Sequence, residues 1–266
     1  MRREPMAEEE TRTQHLDLIA PSTTPAVYFD ARDWVDADSA GREKWVQDVA
    51  ECLNDCLFAV VRRIDGASSA SATAVREQAR QFMAAATHAY PWSEDGQRVL
   101  LRGVDVSDLR QSGPALADVC GLAERLFFTV TEASLTSAER TRLDGEAVLA
   151  SHDPILQLYE SWEGCHGFHN DSRQSHLRLP VIGSYLVTMQ EDARGLRLWP
   201  GYAEAPFELE LEAGDLCLMR DTVETVPGDV RFPLTHGTLP ARGPDASERI
   251  VAIHRAGIFP RSFLDS

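Results

Sequence analysis

His169 and Asp171 stand two residues apart, His236 follows 65 residues after Asp171, and Arg249 comes 13 residues later. Two neutral imidazoles and one carboxylate on one face of an octahedral ion leave three neighbouring coordination positions open. That is the donor set of a non-haem iron(II) centre that binds a co-substrate and dioxygen together. An arginine can grip the carboxylate of a keto acid through its planar fork of N–H donors. His169, Asp171 and His236 are therefore the expected metal-binding and catalytic residues, with Fe(II) as the metal and O2 as oxidant.

The His-x-Asp triplet alone decides nothing. With 8 histidines and 21 aspartates in 266 residues, a random chain holds about 0.6 such triplets. The ordered set is far more specific, and it makes demands on the fold. Residues i and i+2 of an extended strand point to one side, so His169 and Asp171 can reach one ion if the chain is extended there. His236 must arrive from a separate strand. Between them, Phe207 to Glu212 alternates apolar and acidic residues, Ala213-Gly214-Asp215 reads as a turn, and Leu216 to Met219 reads as a further strand.

The stretch from about Pro154 to Pro260 resembles the iron(II)- and 2-oxoglutarate-dependent oxygenases, in particular their isopenicillin N synthase-like branch. The likeness is carried by Leu156-Gln-Leu-Tyr159, Gly167-Phe-His-Asn-Asp171, Gly195-Leu-Arg-Leu-Trp199, Ala213-Gly-Asp-Leu216, Thr235-His-Gly237 and Arg249-Ile-Val251. It implies iron ligands at His169, Asp171 and His236, and Arg249 as partner of the distal carboxylate of 2-oxoglutarate. It also implies oxidative decarboxylation of that keto acid to succinate and CO2, coupled to oxidation of an unactivated carbon. Hydroxylation is the default outcome, with desaturation or ring closure as variants. Where the family often carries a hydroxyl two residues after the arginine, this chain has Val251. The resemblance points to Tyr159, with Gln157 on the same strand face, as the replacement in co-substrate binding.

Composition narrows the partners. A formal net charge of −16 opposes nucleic acid, whose affinity for proteins comes largely from cationic side chains on phosphates. There is no run of about 18 apolar residues for a membrane span, and Arg2-Arg3 leads into Glu8-Glu9-Glu10 and not into an apolar signal core. A cytoplasmic protein acting on a small-molecule substrate, as monomer or homodimer, is expected. Five scattered cysteines without a C-x-x-C pair give neither a disulfide framework nor a zinc knuckle. The single lysine, Lys44, disfavours Schiff-base chemistry and a phosphate-binding loop.

Residues 1–24 are polar and acidic and read as a mobile leader, followed by a single oxygenase domain over 25–266. A strand is expected at Ala26 to Phe29. Next comes a helix from Ser39, with an apolar stripe of Trp45, Val46, Val49, Cys52, Leu53 and Cys56, running into a strand at Leu57 to Val61. Further helices are expected over 72–86 and 114–134, making 25–150 mainly helical. From 151 to 260 the texture turns to short strands. The fold class expected is α+β with a mainly β catalytic core, a double-stranded β-helix (cupin-like jelly roll) preceded and flanked by helices.

Strand parity from Arg249 places Val251, Ile253 and Arg255 on the same face and His254 on the opposite one. A second guanidinium in line with the first either forms a salt bridge at the barrel rim or anchors a substrate carboxylate. Trp162 and Phe168 flank the motif and are candidate substrate-cavity walls, although such aromatics more often pack in cores. His166 lies in a Gly-flanked loop and could line the mouth. The expected substrate is a free amino acid or an amino-acid-derived natural product, in a secondary-metabolic setting. Two other readings stay open: a metal-dependent hydrolase or isomerase without a keto acid, and a non-catalytic jelly-roll binding protein. Succinate release separates the first, and dioxygen consumption the second.

Overall fold

The structure is a computed structural model that describes residues 27–84, 89–91, 98–103, 109–111, 113–145, 147–159, 168–175, 178–189, 195–238 and 249–263. The expected leader lies outside them. The helices that matter here are α1 (Ala31–Val35), α2 (Ser39–Cys56), α3 (Ile64–Ala67), α4 (Ala72–Ala84), α5 (Pro114–Ser134), α6 (Ser137–Gly145) and α7 (Asp171–Ser175). The strands are β1 (Tyr28–Asp30), β2 (Phe58–Arg62), β3 (Ala89–Pro91), β4 (Arg98–Gly103), β5 (Ala147–Tyr159), β6 (Val181–Met189) and β7 (Leu196–Pro200). They continue with β8 (Phe207–Leu209), β9 (Leu216–Arg220), β10 (Val223–Glu224), β11 (Val230–Arg231), β12 (Leu234–Thr238) and β13 (Arg249–Pro260).

Helix α2 forms where its stripe predicts. Asp38 caps its start by accepting from the Gly41 amide at 2.8 Å, and all six stripe residues are buried. It ends because Leu57 turns left-handed, at φ 69°, which breaks the helical ladder and sends the chain into β2. Helix α5 begins with Pro114 at its first turn, where a missing N–H costs nothing. The Gln78 side chain on α4 accepts from the Leu116 amide at 3.0 Å, so one helix caps the next. Helix α6 opens with a reciprocal capping box: the Thr136 amide donates to Glu139 Oε2 (2.8 Å) and the Glu139 amide to Thr136 Oγ1 (3.2 Å).

Eight strands form one sheet in the order β1-β2-β9-β6-β13-β5-β4-β3, antiparallel throughout except the parallel β1–β2 pair. A second sheet has the order β12-β7-β8. The first half of the chain supplies β1 to β4 as well as helices, so strands from both halves share the large sheet. Helix α5 packs across β13, β5 and β6, with α4 and α2 beside it, covering one face of that sheet. The other face looks toward the small sheet. The turn at 213–215 carries the chain between sheets: β8 pairs with β7, while β9 pairs with β2 and β6. Gly214, at φ 94°, allows it.

Strand β5 begins at Ala147, ahead of the short-strand texture expected from 151, and runs through Pro154. Opposite β13, Ile155 pairs with Ile253 and His152 with Arg255, leaving Asp153 and Pro154 against His254 alone. Proline has no N–H for the ladder, and a bulge accommodates it. The extra residue sits on β5, so β13 keeps strict alternation through this stretch. No helix among the described residues is long and apolar enough to cross a membrane.

Beneath the end of β9, Arg220 is wholly buried and pairs with Glu139 at 2.7 Å; Glu139 also accepts from the Glu224 amide at 3.2 Å. Removing one partner of such a pair strands an uncompensated charge in the interior. Glu139→Ala is expected to lower unfolding free energy by about 3–5 kcal/mol in urea titration, and adding Arg220→Met should recover much of the loss. A single mutant within 1 kcal/mol of wild type would show the pair to be dispensable.

Candidate metal centre

The segment 168–170 docks on the edge of β12. His169 N donates to His236 O and His236 N to His169 O, both at 2.9 Å. A directly opposed, doubly bonded antiparallel pair puts both side chains on one face, and the two imidazoles lie with centroids 4.4 Å apart. Asp171 opens α7, so the extended geometry expected across His169 to Asp171 stops before Asp171. The one-turn swing still brings Asp171 Oδ1 to 3.5 Å from His169 Nε2. Donor atoms from His169, Asp171 and His236 all lie within 4.8 Å of one another.

Two donors about 2.1 Å from a shared ion and at right angles are about 3 Å apart, so this trio fits one metal ion with small side-chain adjustments. Two imidazoles and one carboxylate, with no thiolate, suit iron(II) chemistry. Burial pushes the Asp171 carboxyl up. That effect is outweighed by its hydrogen bond to His169 and the charges of Arg255, His236 and His169, and the net result is well below the usual carboxylate range. The carboxylate is therefore ionised, as a cation-binding group must be.

A hydrogen-bonded clamp holds the ligand segment. Asp221, at the end of β9, accepts from the Asp171 amide (3.2 Å), the Ser172 amide (2.8 Å) and the Ser172 hydroxyl. Burial raises its pKa to about 6 against the lowering effect of the Ser172 hydrogen bonds. Asn170 donates to the carbonyls of Asp221 (2.7 Å) and Leu234 (3.1 Å) and accepts from the Arg173 amide (3.0 Å). Three chain segments, at 170–173, 221 and 234, are thereby tied together beside the centre.

The trio opens into a cleft between the two sheets. Strand β13 lines it with Arg249, Val251, Ile253 and Arg255, as alternation predicts. His254 faces the other way, its ring 5.8 Å from Phe127 of α5. Arg249 is buried, and its Nη1 donates to the Gly195 carbonyl at 3.0 Å, fixing the guanidinium in the cleft. Gln157 stands on the rung directly across from Val251 and also lines the cleft. Tyr159 occupies the rung of Arg249. Ser184 and Thr238 add two hydroxyls, while Ile182, Leu196 and Met219 make apolar wall.

Other expectations come out differently. Phe168 is not a wall of the cleft: its neighbour His169 faces in, so alternation turns it out, edge-on to Trp199 at 5.6 Å and beneath the Arg197 guanidinium at 4.9 Å. Of the two readings of Arg255, the structure shows a salt bridge, to Asp171 Oδ2 at 3.2 Å. Trp162 and His166 lie outside the described residues. Sequence reasoning missed Asp221, Asn170, Ser184 and Thr238. Thr238 was accessible in principle, being two residues past His236 on one strand. Asp221 was not, since no spacing rule links it to residue 171.

Among known proteins, no family model and no curated protein matches the chain. Solved structures do. A Pseudomonas putida prolyl-4-hydroxylase aligns at TM-score 0.51 and 16% identity, covering 80% of this chain and 98% of that one. A Trichoplax adhaerens prolyl hydroxylase, in complex with a peptide of the hypoxia-inducible-factor oxygen degradation domain, aligns at 0.54 and 13% identity over 87% and 99%. A Phytophthora capsici prolyl 4-hydroxylase aligns at 0.54 and 15% identity over 92% and 69%. At such identities the likeness defines the fold, a mixed helix–sheet architecture of the prolyl hydroxylase kind, and leaves activity to be argued from the site.

The purified protein is expected to bind one Fe(II) per chain. His169→Ala and His236→Ala should each abolish binding, because two remaining ligands hold a labile ion poorly. Metal analysis of anaerobically loaded protein measures this, and wild-type occupancy in both variants would refute the ligand set.

Proposed function

We propose that this protein is a non-haem iron(II)- and 2-oxoglutarate-dependent oxygenase with a double-stranded β-helix core. It would hydroxylate an unactivated carbon of an amino acid or an amino-acid-derived natural product, releasing succinate and CO2. The observation that carries the reading is the convergence of His169, Asp171 and His236 with buried Arg249 in one cleft. The fold shared with prolyl hydroxylases supports it at the level of the 2-oxoglutarate oxygenase superfamily. That comparison does not extend to the isopenicillin N synthase-like branch, which rests on the sequence motifs.

His169, Asp171 and His236 hold the iron, which when bound supplies dioxygen activation. Arg249 pairs with the distal carboxylate of the keto acid, a charge-assisted contact strengthened by burial. Tyr159, with Gln157 beside it on β5, supplies the hydrogen bond that the missing hydroxyl would have made, and Ser184 and Thr238 offer hydroxyls in the cleft. Ile182, Leu196, Met219, Val251 and Ile253 keep water from the reacting atoms.

Anaerobic loading with Fe(II) and 2-oxoglutarate, followed by oxygen, tests the reading against a panel of free amino acids. A proline-containing peptide belongs in the panel because prolyl hydroxylases share the fold. One succinate per oxidised substrate is expected; substrate turnover without succinate would point to keto-acid-independent chemistry. Arg249→Ala should keep its iron yet raise the 2-oxoglutarate requirement about 10²-fold, as a buried bidentate pair is worth on the order of 3 kcal/mol. Lysine should restore part of it. An unchanged requirement would move the keto acid elsewhere in the cleft.

A further inference from the structure

Arg255 sits on the same face of β13 as Arg249, six residues on, and its Nη2 lies 3.2 Å from Asp171 Oδ2. The other oxygen, Oδ1, is the one turned toward His169 Nε2, at 3.5 Å. We propose that Arg255 is a positioning residue: it occupies one oxygen of Asp171 so that the metal receives the other. The inference rests on the ligand assignment of Asp171 and is independent of the keto acid.

Three observations favour this role over that of a substrate anchor. The carboxylate already neutralises the guanidinium, which leaves little net attraction for a second anion. The Arg255 side chain is 27% exposed and that of Asp171 13%, so the pair is partly shielded from solvent and its geometry is held. Asp171 is the first residue of a five-residue helix, with its backbone amide fixed by Asp221. Oδ2 of its side chain contacts Arg255, and Oδ1 is turned toward His169. Loss of Arg255 removes the contact that engages Oδ2, and that oxygen then becomes available to the metal.

Cobalt(II) titration of the full chain without oxygen or keto acid tests this directly. Arg255→Ala is expected to weaken Co(II) binding about 10–100-fold, the usual effect of losing a partner that orients a metal ligand. The visible spectrum at saturating Co(II) should change as the carboxylate alters its mode of binding. Arg255→Lys should recover part of the affinity, and Arg255→Gln less. At saturating metal, 2-oxoglutarate affinity should stay within about threefold of wild type, unlike Arg249→Ala. If Arg255→Ala fails to fold, the Lys and Gln variants carry the comparison. Co(II) affinity within twofold of wild type and an unchanged spectrum, whether or not melting temperature or substrate binding falls, overturns the proposal. Failure of the wild-type protein to bind 2-oxoglutarate would instead refute the keto-acid reading and leave these isotherms decisive.

Discussion

The reciprocal backbone hydrogen bonds between His169 and His236 are the joint on which the centre depends. They join a segment that precedes a five-residue helix to the small sheet, and they force both imidazoles onto one face. Each bond contributes only about 0.5–1.5 kcal/mol net. Their importance is geometric: a one-residue slip in that pairing would turn one histidine outward. Phe168 benefits from the same alternation, since its outward ring packs with Trp199 and Arg197 on the far side of the small sheet.

A weak two-bond joint needs support, and the surrounding polar residues supply it. Asp221 fixes the amides that begin α7, while Asn170 ties that turn to the start of β12. One residue before Asp221, the buried Arg220–Glu139 pair anchors the end of β9 against α6. A buried ion pair is an uncertain source of stability. Here it fixes the position of the strand end from which the ligand clamp extends, so its contribution to the site is one of register.

Strand β13 sets the opposite wall. Its alternation survives two irregularities because both extra residues belong to the neighbours: Asp153-Pro154 on β5, and Val187 on β6 between its rungs with Ile250 and Val251. Four inward side chains of β13 thus face the His169–Asp171–His236 group, and the alternate residues Ile250, Ala252, His254 and Ala256 are buried on the reverse face. His254 shows the cost of that position: burial lowers its pKa to about 4, and it packs against Phe127 as a neutral ring.

Much was legible in the sequence because it depends on local period and donor chemistry. The apolar stripe of α2, the span of α5, the inward set of β13 and the grouping of His169, Asp171, His236 and Arg249 all follow from spacing and side-chain type. Strands β1 to β4 joining the large sheet, and the extension of β5 through Pro154, did not follow, since pairing partners distant in sequence override local signals. The same reason governs the site. Spacing could say that Arg255 shares a face with Arg249, but its partner, Asp171, lies 84 positions away. That contact exists only because β13 and the docked 168–171 segment face each other across the cleft.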